Sequence, residues 1–199
     1  MPGRRLAAMV FPAPGGDPVL NPNVLPTGRN MFSINAESTP GPQAWEDGKR
    51  LADETLERYR QQHGDYPRKV SYTFWAGEFI STEGATIAQA FRMLGVEPLR
   101  DKQGRVVDLR VVPAEELGRP RIDVLVQVSG QLRDIAGSRL RLLTEAVKLA
   151  AEAPEVDGLP NYVAAGTQAQ EKALLDKGLS PVRARELATM RVFGPLKSG

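Results

Sequence analysis

The run RIDVLVQV, Arg121 to Val128, constrains the fold more than any other part of the chain. Ile122, Val124, Val126 and Val128 fall on one face and Leu125 on the other, so the strand expects apolar neighbours on both sides and belongs at the centre of a sheet. Directly after it, Leu132, Ala136, Leu140, Leu143, Val147 and Ala150 recur at helical spacing. A central strand that passes at once into a long helix is half of a βαβ crossover, and a crossover requires a parallel neighbour.

KVSYTFWA, from Lys69, supplies that neighbour, being rich in β-branched and aromatic residues. Ahead of it a helix is expected from about Gln43 to Gln62, with Trp45, Gly48, Ala52, Thr55, Leu56 and Tyr59 on one face and a close at Gly64 and Pro67. Beyond it the next helix should open at Ser81 or Thr82, either of which can cap the free N–H groups, and stop at Gly95. A strand near Pro98, a turn at DKQG and a strand with Val107, Leu109 and Val111 on one face follow. The order predicts an α/β fold, a layered, mainly parallel Rossmann-like sheet with helices on both faces, spanning residues 43–153.

Two further segments flank that domain. From Pro12 to Pro42 seven prolines exclude helix and central strand, while Val10, Phe11, Val19, Leu20, Met31, Phe32 and Ile34 are too many apolar groups for a solvated tether. Residues 1–42 therefore read as an extended Pro/Gly-rich arm lying against a larger body. Residues 154–199 read as a helical appendage, with one helix from about Asn161 to Lys177 and a second capped by Ser180 with Pro181 at its first position.

Composition removes several function classes. The 26 basic and 24 acidic residues are interspersed and leave a net charge of +2, so no basic face for nucleic acid is implied. The absence of cysteine excludes a disulfide framework, a thiolate nucleophile and a Cys-based metal site within the chain, and the single histidine, His63, excludes a zinc site built on His pairs. The apolar run after Arg4 and Arg5 ends at Phe11, too short for a signal peptide, and no stretch approaches a membrane span, so a cytoplasmic protein is expected. Lys197-Ser198 lacks the glycine spacing of a phosphate loop, and no G-x-G-x-x-G follows either strand, which removes a free-standing nucleotide-binding enzyme.

In a parallel sheet, ligands collect outside the carboxyl ends of the strands, where helix N-termini offer unpaired N–H groups. FWAGEFISTEG, Phe74 to Gly84, and VQVSGQLRD, Val126 to Asp134, both run from strand into helix. If the strands are neighbours, Glu78, Thr82, Glu83, Ser129, Arg133 and Asp134 share one crevice. The competing reading makes Thr82 and Ser129 caps and the charges ordinary first-turn residues.

PAPGGDPVLNPNVLPTGRN, GEFISTEGATIAQAFRMLGVEP, EELGRPRIDVLVQVSGQLRD and RELATMRVFG resemble, in that order, consecutive segments of the large subunit of the CobN and magnesium chelatase H family, from about Phe11 to Gly194. The resemblance implies a subunit that binds a tetrapyrrole and its metal, while AAA+ ATPase partners and companion chelatase subunits consume ATP that is not bound here. GEFISTEGATIAQA and QVSGQLRD look closer to cobaltochelatase, which implies cobalt as substrate ion and hydrogenobyrinic acid a,c-diamide as the corrinoid of cobalamin biosynthesis. The alternatives are a magnesium subunit acting on protoporphyrin IX and a scaffold that only docks the ATPases. Family large subunits are several times longer, so a fragment, inactive by itself, is expected.

On this resemblance Glu78, Glu83 and Asp134 become the candidates for accepting ring protons and passing the ion, since carboxylates bind it weakly enough to release it. Arg29, Asn30, Thr82, Gln89, Arg119, Arg121, Ser129 and Arg133 are the candidates for holding the ring substituents. Arg29 has a second reading as a pin for the arm, and Arg119 and Arg121 as pins for the loop before the central strand. No metal ligand is assigned.

Overall fold

The computed structural model describes residues 35–194 and, as backbone only, 13–14 and 30–32. The chain divides into two units, Met1–Asn35 and Ala36–Gly199. In the first, β1 (Ala13–Pro14) pairs in parallel with β2 (Asn30–Phe32).

The second unit begins with a 3-10 turn (Ala36–Ser38) and α1 (Pro42–His63), which has proline at its first position and ends at Gly64 with φ of 80°. Ala44, Gly48, Ala52 and Leu56 form its buried stripe, spaced four residues apart. Then come β3 (Lys69–Phe74), α2 (Ala76–Ser81) and α3 (Ala85–Leu94). A Cβ on Gly48 would stand 2.4 Å from the Cβ of Ala88, so the glycine lets α1 approach α3 at backbone distance. β4 (Val96–Arg100), β5 (Val106–Val111), α4 (Ala114–Leu117), β6 (Asp123–Val128) and α5 (Gly130–Glu152) follow. The described chain closes with α6 (Tyr162–Asp176), α7 (Pro181–Ala188) and β7 (Val192–Phe193). The two helices expected as an appendage thus fall in the larger unit.

β6 is central, as its sequence requires: the sheet order is β3-β6-β7 and both pairings are parallel, with Lys69 opposite Asp123 and Phe74 opposite Val128. The other two strands of this unit do not extend that sheet. β4 and β5 form a separate antiparallel hairpin, so the parallel sheet has three strands. Leu99 pairs with Asp108 and Arg100 with Val106, which leaves Val107 as the extra residue of a bulge. Val107 is accordingly 59% exposed, while Val106 and Leu109 are buried, in place of the expected Val107–Leu109–Val111 face.

The two faces of the sheet are unequal. Phe74, Val124, Val126 and Val128 are buried, and α3 packs on β3 and β6. α3 in turn carries α5, whose Leu132, Leu143, Ala146 and Val147 are fully enclosed. On the opposite face Ser71, Thr73, Leu125 and Gln127 are exposed, and cover among the described residues is confined to the amino end, where Gly166 of α6 sits against Asp123. Among the described residues, the expectation of helices on both faces therefore holds for one face and for only one end of the other. Leu125 alternates correctly but has no apolar layer above it among the described residues.

Candidate functional site

At their carboxyl ends β3 and β6 are tied by a hydrogen bond from the Ser129 N–H to the Phe74 carbonyl, 3.1 Å. Ser129 is the N-cap of α5, its Oγ accepting from the Leu132 N–H. A cavity of about 670 Å³ opens here, lined by Leu125, Trp75 and Phe193, by Thr73, Gln127, Ser129 and Gly130, and by the strand at Val126 and Val128. That size and mixture suit an organic ligand held by apolar contact and oriented by a few donors. α5 leaves helical geometry at Ala136 (φ −131°, ψ 30°), so its opening turn is set apart from the remainder of the helix.

The expected crevice residues are distributed unevenly around this cavity. Ser129 lines it. Asp134 is exposed and stands four residues after Gly130 on α5, hence on the same side of the helix. Arg133, its neighbour, is half-buried. Glu78 lies in α2, one turn beyond Trp75, and its Oε1 accepts hydrogen bonds from the hydroxyls of Thr82, at 2.8 Å, and Thr86. Thr82 is not the cap of a following helix but the C-cap of α2. Glu83 is not in a first helical turn either. It adopts φ of 50° in the joint between α2 and α3, ahead of Gly84 at φ of 82°, because two left-handed residues in succession are needed to turn one helix into the next. Its carbonyl accepts from the Gly41 N–H at 3.0 Å, and its carboxylate occupies the place where a side chain at Gly41 would go. Gln89 sits on α3 in the seam with α1, its backbone 3.1 Å from where a Cβ on Gly48 would lie. Arg29 lies outside the described residues, and of Asn30 only the backbone, in β2, is described.

Arg119 and Arg121 are placed at the other end of the strand, before β6. Arg119 donates to the carbonyls of Arg92 (2.5 Å) and Pro120 (3.0 Å). Arg121 donates to the carbonyls of Gly95 (2.7 Å), Leu94 (3.2 Å) and Val112. A side chain at Gly95 would meet the Arg121 guanidinium at 2.3 Å, so this glycine makes room for the pin as well as the turn. Burial, reinforced by Arg92, lowers the Arg119 pKa to about 10, and burial lowers that of Arg121, yet both stay charged near neutral pH. Most of their donors face backbone, and Arg119 Nε lies 3.6 Å from the Asp53 carboxylate.

Two buried arginines went unread in the sequence. Arg139 in α5 donates to the carbonyl of Val106 at 3.0 Å and pairs with Glu37. Arg191, 1% exposed, binds Asp123 at 2.7 Å, with Gln170 and the Ala188 carbonyl completing its fork. Asp123, equally buried, also meets Lys69 at 2.9 Å. The signal for Arg139 was its position one turn after Ala136 in an otherwise apolar stripe. Among the described residues no group of three His, Cys, Asp or Glu side chains could hold a metal ion, and no helix is long and apolar enough to cross a membrane.

The model of the family described as CobN/Magnesium Chelatase matches residues 6–199. The chain belongs to that family. It is 42% identical over 185 residues to the chloroplastic magnesium-chelatase subunit ChlH of Oryza sativa subsp. indica, covering 92% of this chain and 13% of the relative. It is 38% identical over 187 residues to the aerobic cobaltochelatase subunit CobN of a Sinorhizobium species, covering 93% of this chain and 14% of the relative. The solved catalytic subunit of cobaltochelatase from Mycobacterium tuberculosis superposes with a TM-score of 0.77 at 40% identity, over 93% of this chain and 15% of that one. The chain therefore spans roughly one seventh of the length of these CobN/magnesium chelatase relatives, which include proteins named for each metal.

Proposed function

We propose that this chain is part of the large, tetrapyrrole- and metal-binding subunit of an ATP-dependent cobaltochelatase, and that the ring lies in the cleft at the carboxyl ends of β3, β6 and β7. The observation that carries this reading is the cleft itself: a mainly apolar lining open to solvent, polar groups at a helix N-terminus, and an exposed carboxylate, Asp134, one turn along. The substrate is Co2+ with hydrogenobyrinic acid a,c-diamide, and ATP is hydrolysed by AAA+ partner subunits in the cytoplasm.

Insertion displaces inner N–H protons as the ion enters, one from a corrin ring and two from a porphyrin. Asp134 serves as a proton acceptor, Glu78 as a second, and each offers oxygen that binds the ion weakly enough to release it. Ser129, Arg133 and the N-terminus of α5 take the ring's peripheral substituents. Glu83, engaged at Gly41, sets the corner between α2 and α3.

The magnesium reading, with protoporphyrin IX as substrate, is favoured by the 42% identity to the rice subunit. Both readings are tested by following insertion spectroscopically in the reconstituted complex, offering each ion with each tetrapyrrole. Cobalt insertion into the corrinoid is expected. Insertion of magnesium into the porphyrin alone replaces the cobalt reading with the second one, and normal cobalt insertion by an Asp134→Asn, Glu78→Gln double variant removes the cleft from the chemistry.

A further inference from the structure

The chain has two tryptophans, and the structure treats them differently. Trp45, on α1, is half-buried and has the Lys49 ammonium 5.6 Å from its ring centre. Trp75 is 62% exposed and stands where β3 ends, as the N-cap of α2. It supplies no cap hydrogen bond, and among the described residues it enters no ring pair or cation–π contact. A serine or aspartate there would serve the helix better. An indole brings a wide flat apolar surface, and here that surface lines the cleft together with Phe193, 47% exposed, and Leu125, 39% exposed.

We propose that Trp75 is a substrate-positioning residue: its indole is the wall on which a flat macrocycle stacks, with Phe193 and Leu125 completing the apolar contact. This rests on the reading that the cleft takes the tetrapyrrole, and it adds which side chain grips it. Three considerations converge on a planar conjugated ligand. The exposed apolar groups line one cleft, two of the three are aromatic, and the two rings are not paired with each other among the described residues. Aromatic faces favour offset stacking on other π systems, a preference that aliphatic ligands do not satisfy. The extended backbone of Trp75, φ −108° and ψ 143°, is unstrained, so the ring is presented without a conformational cost that binding would have to offset.

The test uses the chelatase large subunit carrying this segment, with protoporphyrin IX and hydrogenobyrinic acid a,c-diamide as probes in absorbance titrations and thermal melting in parallel. Trp75→Ala is expected to weaken binding of the probe roughly tenfold or more at unchanged Tm, and Trp75→Phe to recover much of the loss. Thr73→Trp, which fills the cleft from the exposed sheet face, tests the underlying reading separately. If Thr73→Trp weakens binding and Trp75→Ala does not, the stacking role is overturned and the cleft stands. If neither variant weakens binding, the cleft reading falls and the stacking role with it. A lowered Tm for Trp75→Ala with unchanged affinity assigns the indole to packing against another part of the subunit and also overturns the proposal.

Discussion

The two ends of β6 are built for opposite purposes. At the amino end, Arg119, Arg121, Asp123 and Arg191 are all buried, and their charges are spent on carbonyls and on one another. At the carboxyl end the same strand opens into a cleft with an exposed tryptophan, a capping serine and a solvated aspartate. Charge at the first end is buried and engaged within the fold. Charge at the second end, at Asp134, stands in solvent. Residue type alone does not separate the two, and burial does.

The comparison breaks most sharply at Asp123. Asp123→Ala would leave the Arg191 guanidinium buried without its carboxylate, and a loss of about 3 to 5 kcal/mol in chemical denaturation is expected. A loss below about 1 kcal/mol would mean that the amino end is not the structural one. At the carboxyl end the expected effect is kinetic. Asp134→Asn should lower insertion by the reconstituted complex roughly a hundredfold while its melting temperature stays within a degree or so of the parent. Unchanged insertion would remove Asp134 from the reaction.

Tyr72 sharpens the same comparison with a smaller effect. It lies on β3, and its hydroxyl is buried and finds no partner among the described residues. Burial raises its pKa, only partly offset by Arg119. The unfolded chain therefore releases this proton first, near pH 10, and from there upward stability contributed by the neutral phenol is lost as pH rises. Tyr72→Phe should remove that alkaline slope and, by deleting an unpaired hydroxyl, raise stability by about 1 kcal/mol at neutral pH. The smallest effect is expected at the joint between α2 and α3. Glu83→Gly relieves a non-glycine residue at φ of 50°, and a change of less than about 1 kcal/mol with normal insertion would keep this glutamate structural. A large fall in insertion would return it to the chemistry.

Much of the fold was legible. The alternation of Ile122, Val124, Val126 and Val128 placed β6 at the centre, and the cap at Ser129 was one of two readings of its position between strand and helix. The pinning role of Arg119 and Arg121 was one of two readings of LGRPRID, and the choice needed their burial. The joint at Glu83 was misread because serine and threonine before an apolar run signal a helix start as readily as a helix end. The hairpin register escaped because a single bulged residue, Val107, inverts the facing of an otherwise regular alternation. Leu125 shows the remaining gap: an apolar side chain records that a surface prefers cover without recording what covers it.

The sheet order has one more consequence, for handling the chain by itself. β3 lies at the end of the sheet and is bonded on one side only, so the outward N–H and C=O groups of alternate residues stand unpaired among the described elements. Such a border is a template for strand addition, and charged residues blunt it. Here Lys69 guards only the beginning of the strand, ahead of Val70, Tyr72 and Phe74, so crowding of identical copies in concentrated solution favours end-to-end sheet growth over the separate monomer.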